Sequence, residues 1–242
     1  AAYRIIGSDQ GAAEVVEEGF PFPAILKTAD FGYDGKGQVS VKSPDDLFPA
    51  WKAFEGARVV LEERIDFTAE YSVIAVRNPS GGVRTYPLCR NIHRDHILDV
   101  TLSPAMPESG KTQEAQSLCK EIATTLELEG VLVVELFLTN SGKWLVNEMA
   151  PRPHTSGHFS QNGSETSQFE NHIRAVCNLP LGSTASLGYA AMQNLLGETL
   201  LALGERLAPV CMASGESHLH LYDKGDARKG RKMGHVNLRA EE

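Results

Sequence analysis

The sequence predicts an α+β fold, because segments with the alternation of strands are joined by hairpin turns and interspersed with amphipathic helices. Turn residues separate alternating apolar runs at residues 78–82 and again at residues 139–142, which indicates two hairpins. From Lys111, apolar residues recur at i, i+3 and i+4 as far as Leu126, which indicates a helix. Hairpins of this kind argue against a doubly wound parallel sheet, whose strands need long crossovers.

The other predicted elements follow from caps, turn residues and apolar spacing. A helix that follows Ser8 ends at Gly19, and a helix capped by Ser43 with Pro44 at its first position ends at Gly56. A further capping box at Ser167 opens a helix that reaches residue 176. No period is visible over residues 93–107. Further strands are predicted at residues 24–28, 39–41, 58–62, 70–77, 83–88, 131–138, 143–149, 192–196, 217–222 and 235–238.

The domain organisation is predicted from a change in composition. Around residues 180–186 the chain becomes rich in Pro, Gly, Ser and Thr, as is typical of a boundary between domains. We therefore expect one domain over residues 1–180 and a small, mainly β C-terminal domain over residues 181–242.

Composition excludes several classes of protein. With 42% hydrophobic and 22% charged residues the chain can bury a core, and a net charge of −8 argues against nucleic acid as a partner. No apolar run approaches the roughly 18 residues that cross a membrane, and the first residues do not resemble a signal peptide. The four cysteines lack the spacing of a zinc site or a disulfide framework. We expect a cytoplasmic protein with reduced thiols and no membrane partner.

A glycine-rich loop at residues 32–38 is a candidate phosphate site. Its glycines allow backbone N–H groups to approach phosphate oxygens, and Lys36 adds positive charge. The loop joins two strands, so it is not a Walker loop, and an ordinary glycine-rich hairpin is the alternative. Lys27 ends an apolar strand and would be satisfied by a phosphate, although an isolated lysine there more often lies on an exposed face.

Two glutamates form a candidate metal site. If the turn at residues 139–142 pairs Leu138 with Lys143, Glu135 lies opposite Val146 and diagonal to Glu148 on one face. Carboxylates so close repel each other unless a cation lies between them, and oxygen ligands beside phosphates suit Mg²⁺. The alternative is two solvated glutamates on an outer face, which the apolar neighbours of Glu135 make less attractive.

Two further polar segments are candidate sites. Residues 151–158 form a proline-stiffened loop that carries Arg152, His154 and His158. With His93 and His96 these histidines raise zinc as an alternative, although neither pair has a spacing that fixes a shared ligand face. A basic cluster near the C-terminus suits one phosphate, or is a solvated turn; it consists of Lys224, Arg228, Lys229, Arg231 and Lys232.

Several motifs together resemble the 5-(carboxyamino)imidazole ribonucleotide synthetases, ligases of the ATP-grasp type. The most specific is Asn-Glu-x-Ala-Pro-Arg-x-His-x-Ser-Gly-His at residues 147–158, supported by Gly-Tyr-Asp-Gly-Lys-Gly-Gln at residues 32–38. The resemblance covers nearly the whole chain. It implies an ATP-grasp fold of two α+β subdomains, at about 1–66 and 67–180, before the small C-terminal domain.

The resemblance also implies a reaction: ATP phosphorylates bicarbonate to carboxyphosphate, and the exocyclic amine of aminoimidazole ribonucleotide takes the carboxyl group. Residues matched to ATP are Lys27, Gly32, Tyr33, Asp34, Gly35, Lys36, Gly37, Gln38, Glu62, Glu63, Arg64, Ile65, Glu70, His93, Asn147 and Glu148. Glu135 and Glu148 match the Mg²⁺ ligands. Arg152 and His154 match the catalytic residues that face bicarbonate and the imidazole. Tyr33 matches a residue near the substrate, and Lys224 and Arg231 match the clamp on the ribotide phosphate.

Two departures from the family pattern leave alternatives open. The family begins with a Rossmann-like domain, and this chain is expected to start after it. Residues 29–31 stand where the family often has basic residues. The alternatives are another ATP-grasp ligase that activates a different carboxylate, or a truncated nucleotide-binding module without turnover. The family also suggests a homodimer.

Overall fold

The computed structural model describes residues 1–30 and 37–240, and the α+β prediction is confirmed. The chain forms two compact units. The first contains Ala1–Asp66 with Asp95–Ile97, and the second contains Phe67–Arg94 with Leu98–Glu242. Among the described residues, no helix is both long and apolar enough to span a membrane.

The first unit is a four-stranded antiparallel sheet that packs against two helices. The strand order is β1-β4-β2-β3, and the elements are β1 (Tyr3–Ile6), α1 (Asp9–Glu17), β2 (Ala24–Thr28), β3 (Gln38–Val41), α2 (Pro44–Lys52) and β4 (Val59–Glu63). Ser8 caps α1 by accepting a hydrogen bond from the N–H of Gly11, as its sequence predicts. The core of this unit lies between sheet and helices and includes Leu26, Leu61 and Trp51.

Most predicted boundaries in the first unit are confirmed within one or two residues. The strand at residues 24–28 is confirmed, and it pairs with β3 across the glycine-rich loop. α2 ends at Lys52, before the predicted Gly56, and the intervening residues form turns. β1 was not predicted, because Tyr3 and Ile5 are largely exposed and give a short edge strand no clear pattern.

The second unit is built on a nine-stranded sheet in the order β10-β9-β5-β7-β8-β11-β13-β12, with β6 paired to β5. Helix α3 (Lys111–Thr125) packs in one core with residues of β5 and β9, and α5 (Gln168–Val176) packs in another. The strands are β5 (Phe67–Arg77), β6 (Val83–Thr85), β7 (Cys89–Arg94), β8 (Ile97–Ser103), β9 (Gly130–Thr139), β10 (Trp144–Ala150), β11 (Tyr189–Leu196), β12 (Ser217–Leu221) and β13 (Lys232–Ala240).

Residues 93–107, which show no period in the sequence, contain the end of β7 at Arg94 and the whole of β8. Asp95 and His96 connect the strands with φ values of 49° and 64°. This is the left-handed region that hairpin turns use, and it is usually filled by glycine. The turn therefore contains no glycine that would indicate a hairpin in the sequence. In addition, β8 lacks a regular alternation of buried and exposed residues.

The C-terminal strands β11, β13 and β12 extend the sheet of the second unit through β8. The three strands were predicted, but two helices between them were not: α6 (Gly197–Leu203) and α7 (Leu207–Cys211). The remaining short helix is α4 (Ser160–Gly163). The domain boundary near residue 180 stays a prediction.

The core between β9 and α3 provides a test of this packing. Leu132 is 1% exposed and lies in that core, whereas Leu201 on α6 is 69% exposed. We expect Leu132→Ala to lower the free energy of unfolding by about 2–5 kcal/mol, because the buried cavity cannot fully collapse. The matched control Leu201→Ala should change it by no more than about 0.5 kcal/mol. Urea denaturation followed by circular dichroism measures both, and equal losses would contradict the packing.

Candidate active site

Glu135 and Glu148 lie directly opposite each other on the paired strands β9 and β10. Cross-strand partners share one face of a sheet, so the two side chains emerge side by side. The register shifts between Val146 and Glu148, which places two residues of β10, Asn147 and Glu148, opposite Glu135. A bulge of this kind re-aims side chains and is common beside active sites.

The structure corrects the predicted register in two steps, a one-residue shift that starts at the turn and a second shift at the bulge. Leu138 pairs with Trp144 instead of Lys143, and Val146 pairs with Leu136 instead of Glu135. The prediction assumed an uninterrupted ladder, in which Glu135 and Glu148 would be diagonal neighbours. The extra residue at Asn147 restores direct opposition, so the two carboxylates are closer neighbours than the sequence alone indicated.

The electrostatics of Glu135 reflect this crowding. Its side chain is only 13% exposed, so the alternative of a solvated pair fails for this residue, although Glu148 is exposed. Burial raises the pKa of Glu135 to about 7, and the charge of Glu148 acts in the same direction. His93 and Lys232 oppose the shift, while Glu70 adds to it. Burial and the neighbouring carboxylates thus outweigh the nearby positive charges at Glu135.

His154 is hydrogen-bonded to Glu135 and is oriented by its own loop. Nε2 of His154 lies 3.1 Å from Oε1 of Glu135. The backbone N–H of Ser156 donates to Nδ1 of His154 at 3.3 Å, so Nδ1 is the acceptor. Nε2 therefore carries the proton that is donated to Glu135, and the ring is fixed from both sides.

A second acid–imidazole pair lies on the neighbouring strands β5 and β7. Nδ1 of His93 contacts Oε2 of Glu70, and both side chains are 24% exposed. Burial lowers the pKa of His93, but the hydrogen bond and charge of Glu70, helped by Glu135, outweigh burial and raise it. Glu70 pairs with Phe137 of β9, one strand from the Glu135–Glu148 pair. The structure thus brings Glu70, His93, Glu135 and Glu148 together on one sheet, and His154 reaches Glu135 from the loop that follows β10.

In the first unit, Lys27 forms an ion pair with Glu62. Nζ of Lys27 lies 2.6 Å from Oε2 of Glu62, and both side chains are about one-third exposed (32% and 33%). Lys27 also pairs with Gln38 across the β2–β3 hairpin. The carbonyl of Gly37 accepts a hydrogen bond of 2.7 Å from the N–H of Thr28. The lysine that was predicted to meet a phosphate therefore has a carboxylate, Glu62, as its partner here.

The other predicted nucleotide residues of this unit follow Glu62 in the chain. Glu63 accepts a hydrogen bond of 3.2 Å from the N–H of Ala2. Arg64 pairs with Asp66 at 3.4 Å, and Ile65 is half-buried. The loop residues Gly32, Tyr33, Asp34, Gly35 and Lys36 lie outside the described part of the chain.

The predicted substrate residues lie on exposed loops of the second unit. Arg152 is exposed and donates to the carbonyl of Pro153 at 3.0 Å. Lys224 and Arg231 both lie on the connection between β12 and β13. Nζ of Lys224 donates to the carbonyl of Lys232 at 3.1 Å and sits 4.9 Å from the centre of the Tyr222 ring. Arg231 donates to the carbonyl of Asp226 at 3.3 Å.

A cavity of about 630 Å³ lies beside Lys224. Its lining contains three imidazoles, three other aromatic or amide side chains, and apolar residues of β12; among them are His158, Gln161, Phe169, Leu221, Tyr222 and His235. Of this lining only His158 and Lys224 were predicted as site residues from sequence, because the lining residues come from four separate segments and have no common spacing.

The donor set fits magnesium better than zinc. Within residues 1–30 and 37–240, no group of three or more His, Cys, Asp or Glu side chains is arranged to hold a metal. The histidines of the zinc hypothesis have different partners, since His93 contacts Glu70 and His154 contacts Glu135. Two opposed carboxylates match Mg²⁺, which takes one or two protein carboxylates and completes its shell with water and phosphate oxygens.

The chain is similar to known ligases over its whole length. A family model described as the ATP-grasp domain matches residues 1–169, and one described as the phosphoribosylaminoimidazole carboxylase C-terminal domain matches residues 190–242. The N5-carboxyaminoimidazole ribonucleotide synthase of Bacillus subtilis is 44% identical, over 98% of this chain and 61% of the relative.

Solved structures give the same relationship. A crystal structure of an N5-carboxyaminoimidazole ribonucleotide synthetase in complex with ADP matches with a TM-score of 0.90 and 41% identity, over 100% of this chain and 63% of that one. An Aspergillus clavatus enzyme in complex with ADP and 5-aminoimidazole ribonucleotide matches with a TM-score of 0.87 and 30% identity, over 99% and 63%. The chain thus spans about three-fifths of the length of these relatives. With the family model matching well over half of its residues, the chain belongs to the ATP-grasp family.

Proposed function

We propose that this chain catalyses the ATP-dependent carboxylation of aminoimidazole ribonucleotide with bicarbonate. The products are 5-(carboxyamino)imidazole ribonucleotide, ADP and phosphate, and the reaction proceeds through carboxyphosphate. The observation that carries the proposal is the direct opposition of Glu135 and Glu148 beside His154. It is supported by relatives that are named for this reaction and by a similar enzyme whose crystals contain ADP and the ribonucleotide.

Glu135 and Glu148 would hold Mg²⁺. Their mutual repulsion, which helps to raise the pKa of Glu135, is relieved when a cation lies between them. When bound, Mg²⁺ neutralises charge on the phosphates of ATP during phosphoryl transfer. The exposed Glu148 offers its carboxylate from the strand edge, while Glu135 is held from behind by Nε2–H of His154.

Several further residues would contribute to ATP binding, as the resemblance implies. In the first unit, Lys27 would exchange its partner Glu62 for a phosphate, leaving that carboxylate and residues 63–65 to contact adenine. Glycine-loop residues 32–38 would cover phosphates with backbone N–H groups. In the second unit, the carboxylate of Glu70, oriented by His93, would accept hydrogen bonds from the ribose hydroxyls, and Asn147 would complete the site.

His154 and Arg152 would serve the carboxylation step. Arg152 can pair its guanidinium with bicarbonate, because it lies on an exposed loop, where it donates a hydrogen bond to the neighbouring Pro153 carbonyl. His154, whose ring is fixed between Ser156 and Glu135, would face the imidazole and bicarbonate. Lys224 and Arg231 would bind the phosphate of the ribonucleotide, with Tyr33 near the substrate. We further propose a cytoplasmic homodimer, as the family resemblance suggests.

Two alternatives are separated from this proposal by one assay. Phosphate release is measured with ATP and bicarbonate plus aminoimidazole ribonucleotide, and in parallel with formate plus glycinamide ribonucleotide. The assay uses this chain and a fusion to the N-terminal domain that the resemblance implies. Release only with the first pair of substrates supports the proposal. Release with formate supports another ATP-grasp ligase, and ADP binding without turnover in both proteins supports a binding module alone.

The metal assignment predicts opposite effects of Glu148→Gln on activity and stability. Turnover should fall by more than about a hundredfold, because a metal ligand is lost. The free energy of unfolding without nucleotide, measured at pH 8, should rise by about 0.5 kcal/mol, because a like charge opposite Glu135 is removed. Glu121→Gln on the exposed face of α3 is the matched control and should change neither quantity. Normal turnover in Glu148→Gln would exclude its role as a metal ligand.

The phosphate assignment predicts a selective effect of Lys224→Ala. We expect KM for the ribonucleotide to rise about 10- to 100-fold, because a charged hydrogen bond to phosphate is lost. KM for ATP should stay within about twofold, since the carboxylate pair is untouched. The control is Lys120→Ala, which removes an exposed lysine of α3. An equal rise in both KM values would show that Lys224 does not recognise the ribonucleotide.

A further inference from the structure

Gln168, the first residue of α5, is fully buried and makes three hydrogen bonds with its side-chain amide. Oε1 accepts from the backbone N–H of His154 at 3.1 Å, and Nε2 donates to the backbone carbonyl of the same residue at 2.8 Å. Nε2 also lies 2.8 Å from Nδ1 of His158. Every strong donor and acceptor of the amide therefore has a partner.

The two bonds to His154 form a matched pair. His154 has extended backbone angles, φ −127° and ψ 154°, which direct its N–H and C=O to the same side, as in a hydrogen-bonded residue of an antiparallel strand. A primary amide presents one acceptor and one donor side by side, and thus replaces the missing strand partner. A carboxylate in its place has no hydrogen to donate to the carbonyl.

The same network fixes the tautomer of His158. Because the N–H of His154 can only donate, Oε1 of Gln168 must face it, and the NH₂ group must face the carbonyl and His158. Nδ1 of His158 then accepts, so its ring proton is on Nε2. Burial lowers the pKa of His158 to about 3, and the positive charge of Lys232 acts in the same direction, in agreement with a neutral ring.

Packing leaves the amide little freedom. A Cβ atom on Gly157 would lie 2.4 Å from Oε1 of Gln168, so only glycine fits beside it. The backbone N–H of Gln168 donates to Oγ of Ser160 at 2.9 Å, and that hydroxyl donates to the carbonyl of Gly157 at 2.6 Å. Gly157 and Ser160 are thus linked by hydrogen bonds to Gln168, the first residue of α5.

We infer that Gln168 is a positioning residue, which holds the backbone of His154 so that its imidazole meets Glu135 and faces the reacting groups. The inference rests on the proposed function, because it assigns His154 to the carboxylation step. Gln168 itself touches neither Glu135 nor Glu148 in any described contact, so its effect on the reaction must pass through His154 and its loop.

The test compares Gln168→Met and Gln168→Glu with the wild type. Methionine keeps the length and buried shape but loses all three hydrogen bonds, and glutamate loses the two donors. We expect kcat per nucleotide-binding site to fall about 10- to 100-fold, because a small displacement of a reacting group has that effect. KM for ATP should stay within about twofold. Counting sites by ADP calorimetry removes any loss that is due to unfolded chain.

Controls separate positioning from folding. Gln193→Met and Gln193→Glu make the same changes at an exposed position of β11 and should leave kcat unchanged. Gly157→Ala pushes the amide of Gln168 aside without changing its chemistry, so it should reproduce the loss of kcat even if Gln168→Met does not fold. Unchanged kcat per site in a folded Gln168→Met or in Gly157→Ala would overturn the inference.

A readout without turnover tests the hydrogen-bond network itself. Long-range ¹H–¹⁵N spectra of the wild-type chain should show His158 with an unprotonated Nδ1 and a protonated Nε2 near neutral pH. A protonated Nδ1 would contradict the hydrogen bonds assigned between Gln168, His154 and His158, whatever the activity. If the wild type carries out no carboxylation but shows this tautomer, the proposed function fails, whereas the hydrogen bonds by which Gln168 holds the backbone of His154 are supported.

Discussion

The structure depends above all on the opposition of two carboxylates across β9 and β10. The bulge at Asn147 sets this opposition, because without the extra residue Glu148 would shift relative to Glu135 along the ladder. Two ionised carboxylates so placed repel each other, and burial together with the charge of Glu148 raises the pKa of Glu135 to about 7. Carboxyl groups with shifted pKa values cluster at functional sites, which supports the proposed metal site at this pair.

The surroundings of the pair are organised around this constraint. The backs of β5 and β9 pack on α3 through apolar residues, which leaves the opposite face of the same strands to carry the acidic groups and their imidazole partners. The loop that follows β10 returns His154 to Glu135, and the start of α5 secures that loop through Gln168. Rigid strands thus supply the charge, and a hydrogen-bonded loop supplies the imidazole.

Much of this could be predicted from sequence, and the failures have physical causes. Caps such as Ser8 and apolar spacing predicted α1, α2, α3 and α5 but not α4, α6 and α7, and turn residues predicted the β5–β6 and β9–β10 hairpins. The register of β9 and β10 was predicted one residue off at the turn and two residues off beyond the bulge, because a bulge without glycine or proline leaves no mark in the sequence. The turn at Asp95 and His96 was missed for the same kind of reason. Gln168 belongs to no sequence motif, because its hydrogen bonds form only when α5 packs against the loop that precedes it in the chain.

The central claim is that the opposed carboxylates bind the metal that accompanies ATP. Its most direct test is a crystal of this chain grown with Mn²⁺, a substitute for Mg²⁺, and a non-hydrolysable ATP analogue, analysed by anomalous scattering. The account predicts a manganese peak within about 2.0–2.3 Å of carboxylate oxygens from both Glu135 and Glu148. Bound nucleotide with its manganese contacting neither glutamate would contradict it.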